Sequence, residues 1–194
     1  DRGYEVATNC QQVLGGHGYI AEWGMDQFVR DARIAMIYEG TNGIQALDLV
    51  GRKLGSKGGR GTQAWLGLVA GDIAAATDER LAFIFGPLAK ALGDVQAGVM
   101  WLLQNGMANP DNAGAGATAF MRMMGHVALG HMWLKMAGAS LAALDAGTAD
   151  PDFHNAKLTT ARFFAARVLP ETASLKAQLE AGADTVMALP AEMF

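Results

Sequence analysis

Two glycine-bearing segments hold the residue types best suited to chemistry: Gln12-Val13-Leu14-Gly15-Gly16-His17-Gly18-Tyr19 and Ile37-Tyr38-Glu39-Gly40-Thr41-Asn42-Gly43. Gly15, Gly16 and Gly18 let backbone amides approach a phosphate or a flat ring with no Cβ in the way. The same run also reads as a plain helix C-cap and turn. It is not a dinucleotide fingerprint, because it ends a helix instead of following a strand. In the second segment Glu39 lies between aromatic Tyr38 and flexible Gly40, after one apolar helix and before another. Its carboxylate is therefore expected in a partly dry pocket, where desolvation raises its pKa toward neutrality and suits it to act as a general base. The competing reading is a helix N-terminal acid.

Other reactive residue types form weaker patterns. Arg30 and Asp31 are adjacent, so they cannot pair on one helix face, and separate structural ion pairs are expected. Arg52, Lys53, Lys57 and Arg60 crowd nine positions and read as a solvated helix end or an anion contact. His126 and His131 are five apart and lack the spacing of a shared metal site, with no carboxylate cluster to join them. His17 sits in the glycine run, where it could meet a cofactor, and His154 has no evident partner. Cys10, among apolar neighbours in mid-helix, is expected to be a buried small hydrophobe and not a nucleophile. Met121, Met123, Met124, Met132 and Met136 with Trp133 read as adaptable packing. No metal site is expected.

The elements that position these residues follow from period and punctuation. Tyr4 to Leu14, Met25 to Ile37 and Ile44 to Leu54 have helical apolar spacing, with breaks at Gly15–Gly18 and at Tyr38–Gly43. Gly55-Ser56-Lys57-Gly58-Gly59-Arg60-Gly61 carries four glycines in seven positions and reads as a flexible linker or turn that no helix tolerates. Further helices are expected at 63–76, 88–105, 117–146 and 152–181, the last kinked or split at Pro170. No stretch alternates with period two, so the class is all-α, an antiparallel helical bundle. The domains read as 1–54, a Gly-rich linker 55–61, and an additional helical domain 62–194.

The chain has 194 residues, 51% of them hydrophobic, with 25 glycines, one cysteine and a formal net charge of -4. That length builds a buried core, and the acidic balance removes the footprint a nucleic-acid binder needs. The apolar runs look too short to span a bilayer. A single cysteine and no signal peptide make a reducing, cytoplasmic setting the default. The sequence opens on Asp1 and not on Met, so a piece of a longer polypeptide is expected.

The stretch Gln12 to Leu54, with Gln12-x-x-Gly15-Gly16-x-Gly18-Tyr19, Arg30-Asp31-Ala32-Arg33 and Tyr38-Glu39-Gly40-Thr41, resembles the C-terminal helical domain of acyl-CoA dehydrogenases. The later part, from Asp152-Phe153-His154 through Val168-Leu169-Pro170 to Leu189-Pro190, is similar to the extra helical domain of one branch, the 3-methylthiopropionyl-CoA dehydrogenase-like enzymes. The resemblance implies an FAD enzyme converting an acyl-CoA thioester to its trans-2-enoyl-CoA. Glu39 matches the base that abstracts the α-proton while the β-hydrogen leaves as hydride to the flavin. The amide N–H of the same Glu and a flavin ribityl hydroxyl polarise the thioester carbonyl. Gln12 and Gly16 match positions contacting the FAD of a neighbouring subunit, and Thr41 matches one reaching its diphosphate or adenine side. Tyr38 reads as a wall of the acyl pocket or a core tyrosine, with Gly40 beside it at the substrate. Gly43 departs from the Gln found there in many members.

The implied partners are the acyl-CoA substrate, an electron acceptor for the reduced flavin, and further copies in a homo-oligomer. The isolated chain is expected neither to retain FAD nor to turn over substrate. A related acyl-CoA oxidase and a helical oligomerisation module, idle on its own, are the competing readings.

Overall fold

Helices follow the apolar spacing closely, and their ends follow proline, glycine and short polar caps. The computed structural model describes residues 1–193, and among these no strand occurs. Packing divides the chain into two units, 1–45 and 46–194.

In the first unit, α1 (Arg2–Val13), α2 (Gly16–Tyr19) and α3 (Met25–Ile34) are joined by tight turns. The α1 and α3 helices lie against each other, and the Arg33 guanidinium sits 5.6 Å from the centre of the Tyr4 ring. Gly18 is the single buried position of this unit. A Cβ there would collide with the backbone oxygen of Gln11, whose side-chain amide donates to Gly18 O at 3.1 Å. The expected α3 is shortened: hydrogen-bonded turns replace the helix after Ile34, with Met36 N–H bonded to Arg33 O and Ile37 N–H to Ile34 O. Cys10 is exposed, contrary to the expectation of burial. Val6 and Val13 on the same helix are exposed with it, because this unit sets only α3 and the short α2 against α1.

α4 (Thr41–Asp48) runs into a π-helical turn at Leu49–Lys53. In the second unit, Arg52 and Lys53 both pair with Asp48, at 2.5 and 3.0 Å. Those cations, Arg52 first, hold the Asp48 carboxyl down at about 2. The glycine-rich seam is a tight left-handed turn, with Lys57, Gly58 and Gly59 all at positive φ. α5 (Arg60–Ala75) begins inside the seam. Gly61 is tolerated there because first-turn residues lack intrahelical acceptors for their N–H groups, so little is lost.

α6 (Ala82–Trp101), a second π turn at Leu102–Gly106, α7 (Pro110–Asp145), α8 (Pro151–Arg167) and α9 (Glu171–Glu180) complete the unit. Asn109 and Asp150 cap α7 and α8, each followed by a proline at the first helical position. Pro170 separates α8 from α9, as expected. The α7 helix is the centre, with α6, α8 and α9 against it. Phe120, Ile84, Leu88 and Met123 are fully buried in the core. Small residues permit the close approach: a Cβ on Gly116 would overlap the Leu179 side chain, and one on Gly130 would lie 2.9 Å from Leu88.

Contrary to the sequence expectation, α7 is long and apolar enough to cross a membrane by length and composition. The helix expected over 117–146 is itself long enough, and it qualifies by its summed apolarity although no unbroken apolar run fills it. Its packing is that of a bundle's central helix.

Two buried histidines of α7 hold carboxylates that sequence spacing did not reveal. His131 Nε2 lies 2.6 Å from Asp72 of α5, and His126 Nε2 lies 3.2 Å from Glu171 of α9. Each histidine thus meets a carboxylate that stands on another helix, a pairing that spacing along α7 does not encode. Contacts from His131, and next from Lys135 at 2.9 Å, keep the Asp72 carboxyl below its ordinary range. No group of three or more metal-ligating side chains forms among the described residues.

Candidate functional site

The first unit carries every residue singled out for chemistry. The chain leaves α1 through Leu14, and Gly15 N–H donates to Gln12 O at 3.0 Å. Gly15 has φ 59° and ψ -142°, a conformation essentially closed to side chains. Gly16 follows, and no atom lies within 4 Å of the place a Cβ would take at either glycine. Bare backbone therefore faces open space, with the exposed Gln12 side chain one turn before it. His17 stacks edge-on against Trp23, at 5.1 Å between ring centres.

The second loop is built from left-handed backbone. Glu39, Gly40 and Thr41 have φ of 54°, 92° and 65° in succession. Gly40 needs its hydrogen, since a Cβ would also press on Ile44 Cγ2 at 3.3 Å. Thr41 N–H bonds back to Tyr38 O at 3.4 Å, and Asn42 N–H to Met36 O at 3.3 Å. The Gln45 side-chain amide donates to Glu39 O at 2.9 Å and clamps the loop from the following helix. Asn42 Nδ2 donates to Asp1 Oδ1 at 2.6 Å, tying the loop to the start of α1. Among the described residues, the Glu39 amide N–H has no hydrogen-bond acceptor.

These contacts put the two loops at opposite ends of α1. From Asp1 to Gln12 the helix rises roughly 16 Å at 1.5 Å per residue. Tyr38, Glu39, Gly40 and Thr41 stand together in one turn. Gln12 and Gly16 stand together in the other, and the chain does not merge the two. The expected dry pocket around Glu39 is also not built: Glu39, Tyr38 and Thr41 are all exposed. No buried side chain of this unit is available to wall them.

Arg30 and Asp31 differ from expectation as well. Asp31 takes a hydrogen bond from Gln27 at 2.7 Å, not from an arginine. A cavity of the unit, about 580 Å³, runs past Tyr4, Gln27, Arg30, Arg33 and Ile37 and does not include Glu39. Gln45 and Asn42 are the positioning residues that sequence reasoning missed. Gln45 stands six residues after Glu39, a separation that signals nothing until the loop's turn is known.

Chemically, the second turn offers an exposed carboxylate and a free amide N–H on one residue, with a hydroxyl two residues on. The first offers an amide side chain and bare glycine backbone. Donors of this kind suit a diphosphate or an adenine edge. Nothing in the unit walls a flat ring.

Residues 1–54 match the family described as acyl-CoA dehydrogenase, C-terminal domain, and residues 65–190 match acetyl-CoA dehydrogenase C-terminal like. The chain is 37% identical to the 3-methylmercaptopropionyl-CoA dehydrogenase of Ruegeria pomeroyi, over 96% of this chain and 32% of that protein. It is 31% identical to the broad-specificity linear acyl-CoA dehydrogenase FadE5 of Mycobacterium tuberculosis, over 100% of this chain and 33% of that protein. A butyryl-CoA dehydrogenase of Syntrophomonas wolfei is 27% identical over 99% of the chain and 32% of its own length. The chain thus spans about a third of the length of these relatives.

Proposed function

We propose, from the premise that this chain belongs to the acyl-CoA dehydrogenase family, that it contributes the catalytic base to α,β-dehydrogenation of an acyl-CoA thioester. The observation that carries the reading is the Tyr38–Thr41 turn, whose left-handed backbone presents the Glu39 carboxylate and leaves the Glu39 N–H without an acceptor among the described residues.

Glu39 removes the α-proton, and the carboxylate becomes a carboxylic acid. Its amide N–H donates to the thioester oxygen, where negative charge develops as the proton leaves, and so lowers the barrier to proton removal. Gln45 and Asn42 hold the turn in place. Thr41 would reach the diphosphate or adenine side of FAD, and Gln12 and Gly16, at the other end of α1, would contact the FAD of a neighbouring copy. When bound, FAD supplies the two-electron acceptor for the β-hydrogen. Glu39 needs a drier setting than this chain gives it, and residues from elsewhere in the enzyme or from another copy would supply that setting. Homo-oligomerisation, a separate electron acceptor for the reduced cofactor, and a cytoplasmic setting complete the proposal.

The test is Glu39→Gln in the complete enzyme. Flavin absorbance is retained, while exchange of the substrate α-proton with solvent falls by roughly a thousandfold or more. Exchange at the unmutated rate removes Glu39 from the base role. The 194-residue chain by itself is expected to be colourless and inactive, and a yellow, active preparation overturns that part of the reading.

A further inference from the structure

Both π-helical turns of the second unit border the same groove. A π turn carries an extra residue, which widens the helix locally and often marks a functional position. Leu47, Val50 and Leu54 form one wall of the groove, and Leu102, Leu103 and Met107 form the other, around about 450 Å³. Among the described residues no polar or charged side chain lines it. Sites for small molecules of this size carry a few placed polar groups that fix orientation. This groove has none, so it suits apolar side chains of a polypeptide better than a polar ligand. Met107 at its edge is 81% exposed.

The chain also holds a segment of matching chemistry. After α9, Ala183 N–H donates to Asn112 Oδ1 at 2.9 Å, which roots the following residues beside Ala113 on the lip of the groove. Beyond the root, Val186 and Met187 N–H both bond back to Ala183 O at 2.9 Å. No residue of the segment lines the groove. Val186, Met187, Leu189 and Met193 are left 64%, 61%, 55% and 69% exposed.

Charge matches as well. Residues 184–193 carry Asp184 and Glu192 and no cation. The wall continues into Arg52, Lys53, Lys57 and Arg60, against the single carboxylate of Asp48.

We infer that the groove receives the Val186–Met193 segment of a second copy of this chain, reciprocally, so that a two-fold pair exchanges its C-terminal segments. In this structure the segment does not fill its own groove, since the root turn and the residues after it leave Val186, Met187, Leu189 and Met193 in solvent. The six residues beyond the root turn, 188–193, reach up to roughly 20 Å when extended, enough to cross to a neighbour. Reciprocity fills both grooves with one contact type, as a closed two-fold pair requires.

The experiment uses the full chain carrying Cys10→Ser, Leu103→Cys and Leu189→Cys, treated with an added oxidant and separated on a denaturing gel without reductant. A tagged and an untagged form are mixed beforehand. The expected product is a covalent dimer that includes the mixed species. A disulfide within one chain, giving monomer only, overturns the proposal, as does a dimeric protein in which this pair does not cross-link. In parallel, Met187→Asp with Leu189→Asp changes only exposed side chains. It is expected to weaken self-association at least tenfold by sedimentation, with unchanged helical circular dichroism. Unchanged association, or a wild-type chain that is monomeric at all concentrations tested, overturns the proposal. Loss of the Glu39 reading would leave this result untouched, since no substitution touches the Tyr38–Thr41 turn and Cys10→Ser changes only an exposed thiol of α1.

Discussion

The second unit buries Phe120, Ile84, Leu88, Met123, Leu169 and Leu179 almost completely, while the first buries only Gly18. Yet the first unit is not poor in apolar side chains: Val6, Val13, Tyr19, Trp23, Phe28 and Ile34 are all exposed. Burying a side chain of this size is worth about 1.5–3 kcal/mol, a stabilisation that the second unit has and the first does not. The two units therefore divide the work. One is a self-sufficient bundle with little reactive chemistry, and the other presents the chemistry on a helical hairpin whose apolar stripes face nothing within the unit. Composition alone does not separate them, because burial depends on having a facing element and not on the residue types.

That contrast can be broken most forcefully in the bundle. Phe120→Ala, which empties a fully buried site beside Gly98, is expected to cost about 3–5 kcal/mol, read as a large drop in the thermal midpoint of the helical signal. A negligible shift would mean that the core of the second unit is not closed. Next in size is Gly18→Ala, the one close-packed position of the hairpin. Its added methyl meets the Gln11 carbonyl, and the cost is about 1–3 kcal/mol, confined to hydrogen exchange of residues 11–19. Protection left unchanged there would show that the first unit does not hold this turn.

Asp72 gives a smaller, pH-dependent effect in the bundle. Its carboxyl is held low by His131 and then by Lys135, so its contribution is present above the ordinary carboxylate pKa and fades as pH falls below about 4. Asp72→Asn should therefore flatten the acid limb of a stability-against-pH curve measured between pH 5 and 2. An acid limb as steep as that of the parent would remove Asp72 from this role. The smallest effect belongs to the hairpin: Phe28→Ala should stay within about 0.5 kcal/mol, because the ring is exposed. A cost comparable to that of Phe120→Ala would mean that the first unit has found a partner in solution.

Much of this architecture is legible in residue order. The helical period predicts every long helix, and Pro170 divides the last stretch where it should. Boundaries fail where glycine has a packing role. The helix expected from 117 begins instead at Pro110, capped by Asn109, and runs through Gly116, where Leu179 lies in the place a Cβ would take. The candidate site is legible in part. Glu39, Gly40 and Thr41 are conspicuous by type, and Gly40 has the conformation its type suggests. The exposure of Glu39 was not readable, since it depends on which walls the rest of the structure provides. His131 and Asp72 are 59 residues apart, a separation that no local pattern encodes.

The left-handed backbone at Thr41 has an evolutionary side. A β-branched residue at φ 65° is a conformational outlier that costs on the order of 1–3 kcal/mol. Glycine would remove that strain at a single stroke, so Thr41→Gly is a stabilising mutation within easy reach that also deletes a hydroxyl from the turn bearing Glu39. A directed-evolution screen that rewards thermal tolerance alone should therefore drift toward glycine at this position, while one that also demands turnover should retain the threonine and carry its strain.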